Sequence, residues 1–201
     1  MPVLNGGLGI QQPRRFNSAS LGKWLWSYGT QRDALWRKVI EAKYEDKGGG
    51  WCTKLVSRTN GVSVWKSIRS GWLDFSKFLR CDVGDDTRVK FWEDVWCRDC
   101  SLKEAFPELY SISWIGEYSV SEVMRFFDGR LHWDILFHRP SQDWEPESLD
   151  LFWDVIYSTN VRGIGVDKLC WKPAISRCFE VQGFYHSLSP PSVTDFPWKM
   201  V

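Results

Sequence analysis

Few side chains in this sequence could do chemistry, and most of them stand where turn formation explains them. Asp85 and Asp86 are adjacent carboxylates. Such a pair holds Mg²⁺ for phosphoryl transfer when a neighbouring strand supplies a third carboxylate. Here they sit in the run Gly84-Asp85-Asp86-Thr87, where Asp is favoured for its bonds to nearby backbone, so the pair reads as a turn. Cys97-Arg98-Asp99-Cys100 is a single C-x-x-C. A structural zinc needs four ligands, yet no second C-x-x-C or spaced His pair accompanies it, and His132 and His138 are six apart. A redox dithiol would want a thioredoxin-like strand and helix around it, which the flanking pattern lacks. There is no G-x-S-x-G, and Gly6-Gly7-Leu8-Gly9 lacks the Lys and following helix of a phosphate cradle. The chain therefore reads as no enzyme, with no metal site and no cofactor.

What remains is charge. The net charge is +1, but it is unevenly spread. Residues 1–80 carry 14 Lys/Arg against 5 Asp/Glu, residues 81–157 carry 7 against 17, and residues 158–201 carry 5 against 3. Lys23, Arg32, Arg37, Lys38, Lys43, Lys66 and Arg69 are expected on the polar faces of helices, where they could track the phosphates of RNA or DNA with salt-sensitive affinity. The alternatives are a merely solvated helix face, or a basic half that packs on the chain's own acidic half. The sequence holds 14 Trp, 12 Phe and 6 Tyr. Aromatics stack on bases only where exposed, and most of these Trp fall at positions expected to be core.

These residues need elements to position them. Residues 1–17 read as a loop or frayed terminus. The 18–80 stretch reads as a basic, Trp-rich helical region. Leu21, Trp24, Leu25 and Tyr28 recur at helical spacing, with Ser18 or Ser20 as the start and Gly29 as the stop. A second helix, capped by Thr30, follows with Leu35, Trp36, Val39, Ile40 and Tyr44 as its apolar stripe, and Asp33–Arg37 and Arg37–Glu41 four apart on its outer face. A third is expected from Val62 to Leu73. The 81–165 stretch reads as acidic: residues 78–83 and 88–92 form a hairpin, followed by short helices at 102–106, 120–127 and 147–157. The 166–201 stretch reads as a second hairpin, 168–172 with 178–181, and a short helix near 184–188. The expected fold class is α+β, mainly helical, with two small hairpins.

Length and composition bound the rest. A chain of 201 residues, 43% hydrophobic and 25% charged, has enough apolar surface to fold and an ordinary soluble balance. It has no run of about 18 apolar residues that could span a membrane. Its first residues lack the basic start and apolar block of a secretory signal. Six irregularly spaced Cys suit reduced thiols inside a cell, in nucleus or cytoplasm. There is no fixed-period repeat.

Several segments, in order, resemble the polyproteins of plant LINE-type (non-LTR) retrotransposons. They are Gly6-Gly7-Leu8-Gly9-Ile10, Leu21-Gly22-Lys23-Trp24-Leu25-Trp26, Leu35-Trp36-Arg37-Lys38-Val39-Ile40 and Val64-Trp65-Lys66-Ser67-Ile68. Phe91-Trp92-Glu93-Asp94-Val95-Trp96, Phe106-Pro107-Glu108-Leu109-Tyr110, Trp171-Lys172 and Phe196-Pro197-Trp198-Lys199 continue the series. The resemblance implies a segment between the reverse transcriptase and the reverse-transcriptase zinc-binding domain, with Trp171 to Leu188 resembling the start of the latter. It implies that the polymerase motif and the zinc ligands lie outside this chain, and that its partners are those segments together with RNA or DNA. There are departures: Asp86 stands where the family shows Gly, and Arg98 and Cys100 alter its Trp-Cys-Gly-Asp. The expectation is a non-catalytic fragment with an accessory nucleic-acid contact; the alternative is a structural connector or pseudogene product without independent activity.

Overall fold

The computed structural model describes residues 13–54, 63–84, 87–138, 146–161 and 163–188. The fold is α+β and mainly helical, with small antiparallel two-stranded sheets. Asp85-Asp86, Gly6-Gly7-Leu8-Gly9 and Phe196-Pro197-Trp198-Lys199 lie outside the described residues.

Helix α1 (Pro13–Thr30) buries Ala19, Gly22, Leu25, Tyr28 and Gly29. It packs on α9 (Val181–Ser187), α3 (Val64–Ser70) and α4 (Trp72–Ser76). Ser18 and Ser20 lie inside α1 and do not start it. Thr30 does not cap α2 (Leu35–Tyr44): its hydroxyl donates back to the Trp26 carbonyl at 2.8 Å, and Ala34 occupies the cap position. Between α2 and α3, β1 (Asp46–Lys47) pairs with β2 (Cys52–Thr53) across a glycine turn at 48–50.

The two expected hairpins do not form. Strand β3 (Leu79–Asp82) pairs antiparallel with β6 (Lys168–Trp171), in the register Leu79↔Trp171 to Asp82↔Lys168. This joins segments far apart in the sequence. The partner expected of β3, residues 88–92, is a turn-rich segment instead. The physical reason is Asp167. Its buried carboxylate accepts the backbone N–H groups of Gly84 (2.7 Å), Arg88 (3.0 Å) and Val89 (2.9 Å). Donors that a ladder would have used are already satisfied. Phe91 and Trp92 are consecutive and both fully buried, which a half-buried strand cannot achieve. Residues 178–181 likewise form no strand. The Arg177 N–H donates to the Ala174 carbonyl, and the Arg177 carbonyl accepts from Trp171, closing a turn at the end of β6.

Helices α5 (Leu102–Ala105) and α6 (Pro107–Ser111) follow, the first opened by a Ser101–Glu104 capping box. The helix expected over 120–127 stops at Val123. Helix α7 (Val120–Val123) runs directly into strand β4 (Met124–Phe127), which pairs with β5 (Arg130–Trp133). The turn is Asp128-Gly129, with φ of 49° and 72°. Positive φ at both central residues matches the right-handed twist of a two-residue hairpin, and Asp-Gly is a preferred pair for it. Helix α8 (Pro146–Ser158) forms as expected and buries Phe152 and Ile156.

Trp and Phe dominate the core. Phe75, Trp171, Phe179 and Phe184 meet with ring centroids 4.9–5.9 Å apart beneath α1. A second group forms around Phe152, which stacks on Trp92 at 5.5 Å and meets Phe91 and Phe106 edge-on. Among the described Trp, residues 51, 65, 92, 96, 133 and 171 are buried, whereas Trp24 and Trp114 are 48% and 63% exposed.

Candidate nucleic-acid interface

The seven basic residues singled out in the sequence separate into two groups. Lys23 on α1, Arg32 in the following loop, and Lys38 and Lys43 on α2 are exposed; Lys66 on α3 is half-buried. Arg37 and Arg69 are buried, which corrects their placement on solvated helix faces.

The rotation of α2 explains Arg37. The expected stripe put Leu35 and Val39 inward, but they are 78% and 61% exposed. The inner face is turned one residue on, through Trp36–Arg37, Ile40–Glu41 and Tyr44. Arg37 then reaches the Gly50 carbonyl at 3.1 Å and the Glu41 carboxylate at 2.6 Å, with its guanidinium 4.8 Å from the centre of the Tyr28 ring. The Arg37–Glu41 pair forms as spaced, on the opposite face from that expected. Tyr28, whose hydroxyl donates to Asp46, is held well above the usual phenol range, first by burial and then by that carboxylate. Arg69 donates from Nε to the Thr53 carbonyl at 2.5 Å, with its guanidinium 5.8 Å from the Trp72 ring centre. Both guanidinium groups staple backbone carbonyls of the β1–β2 segment, a use for which the planar fork of Arg suits and the Lys ammonium does not.

A third buried guanidinium, unrecognised in the sequence, completes the set. Arg88 donates to the carbonyls of Gly29 (3.0 Å), Gly49 (2.8 Å) and Gly50 (3.1 Å). No local spacing announces it, because all three acceptors lie 38 or more residues away in sequence. Two surface lysines of the basic stretch pair with nearby carboxylates: Lys54 meets Glu45 at 2.9 Å, and Lys77 meets Asp74 at 2.8 Å.

A groove of about 1060 Å³ lies along β3 and β6, between the end of α8 and residues 172–177. Arg80, Lys168, Lys172 and Arg177 line it against Asp82 and Asp99. Much of this charge braces the walls. Arg177 pairs with Asp82 at 2.9 Å, Arg80 donates to the Trp96 carbonyl at 3.2 Å, and Lys172 donates to the Asp99 carbonyl at 3.1 Å. Cys81, Cys97 and Cys170 also border the groove. Burial raises all three thiols, Cys170 to about 11 and Cys97 to about 12. Burial thus disfavours the thiolate, the nucleophilic form, at all three. Cys97 is the first Cys of the C-x-x-C. Among the described residues no three His, Cys, Asp or Glu side chains converge as a metal-ligand set. His132 and Phe127 form a T-shaped pair at 5.9 Å, and His138 lies tilted against Trp114 at 3.8 Å. No helix among the described residues is long and apolar enough to cross a membrane.

No family model matches the chain, and no solved structure matches it. It is 30% identical over 107 residues to an Arabidopsis thaliana protein named "Putative ribonuclease H protein". The match covers 51% of this chain and 17% of that protein, so the chain spans a small part of the curated relative. This finding overturns the sequence reading that set the chain apart from enzymes, because the relative is named for one.

Proposed function

We propose that the chain is a nucleic-acid-contacting segment of a plant retroelement polyprotein of the LINE type, part of a larger enzyme that acts on nucleic acid. The similarity to a protein named as a ribonuclease H carries this reading. The ordered series of motifs resembling LINE polyproteins supports it, and with it the reading of residues 166–201 as the beginning of a reverse-transcriptase zinc-binding domain. The partners in this reading are RNA or DNA and the polymerase and zinc-binding segments of the same polyprotein.

The contact surface is built from Lys23, Arg32, Lys38 and Lys43, which are exposed on α1, α2 and the loop between them. Lysines and arginines there neutralise phosphates and release counterions, so affinity falls linearly on a log–log plot against salt. Arg37 and Arg69 have their guanidinium groups turned to protein carbonyls and serve to hold this face in shape.

Fluorescence anisotropy of a labelled RNA of about 20 nucleotides and the matching DNA, titrated from about 20 to about 300 mM KCl, tests the reading. Salt-dependent binding is expected. In a K23A/R32A/K38A/K43A variant the slope becomes shallower by about 0.7 to 0.9 for every phosphate that is no longer neutralised. Absence of binding by the wild-type chain at the lowest salt overturns it.

A further inference from the structure

The outward face of the β4–β5 ribbon is a second surface, built differently from the lysine face. The register pairs Met124 with Trp133, Arg125 with His132, Phe126 with Leu131 and Phe127 with Arg130. Side chains alternate across a strand, so Met124, Phe126, Leu131 and Trp133 share one face and Arg125, Phe127, Arg130 and His132 the other. The first face turns toward the protein. Met124 and Trp133 are buried, Leu131 is half-buried, and Phe126, though 48% exposed, lies with Met124 against Gly163. All four residues of the second face are exposed, and Phe127 is 65% exposed, in a T-shaped pair with His132 at 5.9 Å.

We propose that this face, Phe127 flanked by Arg125, Arg130 and His132, is a stacking platform for single-stranded nucleic acid. An exposed phenyl ring offers a flat apolar surface that any base can cover, independent of sequence. Arg130 stands directly across the ladder from Phe127, about 5 Å away at Cα, and Arg125 stands about 7 Å along the same strand. A base lying on Phe127 therefore has an arginine on either side of it for its phosphates, Arg130 across the ladder and Arg125, whose guanidinium also donates to the Met124 carbonyl at 3.2 Å. His132 adds a second ring next to the first. Within residues 124–133 the one carboxylate is Asp128, which sits in the turn. The two arginines on this face suit phosphates, although the 81–157 stretch that carries it is acidic as a whole, and stacking within a duplex would hide the base faces that Phe127 needs. The proposal rests on the proposed function only in taking nucleic acid as the ligand; it concerns different residues.

The test uses the full chain, a fluorescein-labelled oligouridine of about 12 nucleotides and a duplex of about 12 base pairs. F127A is expected to weaken oligouridine binding by about 5- to 150-fold, the loss of one base–aromatic stack, and to leave duplex binding unchanged. F127W is expected to restore it. R125A/R130A is expected to flatten the salt slope on oligouridine by about 1.4, two phosphates on a single strand. Equal oligouridine affinity in F127A and wild type overturns the proposal, as does an equal loss on both probes. If the K23A/R32A/K38A/K43A variant loses binding while F127A does not, the platform fails and the lysine face stands. If the wild-type chain binds neither probe, both readings fail.

Discussion

The Arg88 guanidinium lies over the Trp51 indole, its central carbon 3.6 Å from the ring centroid. From that position it donates to the end of α1 at Gly29 and to the glycine turn at Gly49 and Gly50. One buried side chain thus ties the segment after β3 to the first helix and the first hairpin.

Substitution at Arg88 is expected to be among the most damaging single changes. R88K keeps the charge but replaces a fork of donors with one ammonium group, and should cost about 2 kcal/mol; R88A leaves three carbonyls without this donor and should cost about 3–5 kcal/mol. Urea denaturation followed by tryptophan fluorescence measures this. A midpoint unchanged in R88A would show that the carbonyls find other donors.

Arg37 and Arg69 are expected to report on stability and the exposed lysines on binding. R37A and R69A should each lower unfolding free energy by about 3 kcal/mol, since each removes a buried, hydrogen-bonded charge, R37A leaving the Glu41 carboxylate without this partner and R69A the Thr53 carbonyl without this donor. Their effect on the salt slope of nucleic-acid binding should be nil. A slope reduced in folded R37Q, which removes the charge, would place Arg37 at the ligand instead.

Asp94 gives the fold a pH signature. Its carboxylate accepts from Trp51 Nε1 at 3.1 Å and from the Lys90 N–H at 2.8 Å, yet burial dominates and pushes its pKa up to about 6. A carboxyl whose folded pKa lies above its unfolded value binds protons more tightly when folded. Its contribution is therefore full below about pH 4 and is lost as pH rises through about 6, up to about 3 kcal/mol in all. Glu122 acts in the opposite sense, because the Ser119 N–H and hydroxyl hold its carboxyl below the usual range. Comparing wild type with D94N at about pH 4.5 and about pH 7 isolates Asp94. The wild type should lose stability relative to D94N as pH rises; a constant difference would refute the assignment.

Gly84 is set by close approach. A Cβ there would overlap the backbone carbonyl of Gly165, which cannot rotate away as a side chain could. G84A is expected to cost about 2–3 kcal/mol by forcing the 84–89 segment off Asp167. Thermal melting checks it, and a melting temperature indistinguishable from wild type would show that the two backbones separate at no cost.

Much of the helical framework was legible from periodicity. Leu25 and Tyr28 on α1 and Phe152 and Ile156 on α8 are buried where helical spacing put them. The ribbon also had a local signal that the helical reading of 120–127 overrode. Asp128-Gly129 is a two-residue turn pair, and the four residues on each side of it form the two strands. The capping box at Ser119 opens only a single helical turn, because Met124 onward pairs with 130–133.

The candidate site was legible only in part. Lys23, Arg32, Lys38 and Lys43 are exposed as their charge suggests, although Arg32 lies in a loop and α2 is rotated from its expected phase. Arg37 and Arg69 looked the same in the sequence, since a charged residue between apolar neighbours gives no sign of whether carbonyls await it inside.

By itself the sequence determined where several of the helices lie, the aromatic core composition and the concentration of positive charge in the first 80 residues. These follow from periodicity and counts, which are properties of neighbouring residues. Only the tertiary structure decided which strand pairs with which, which arginines are buried and which ring remains outside. Those outcomes depend on contacts across the chain: Asp167 takes the donors that a local hairpin would have used, β6 takes the strand left without a partner, and packing chooses which face of each element meets water.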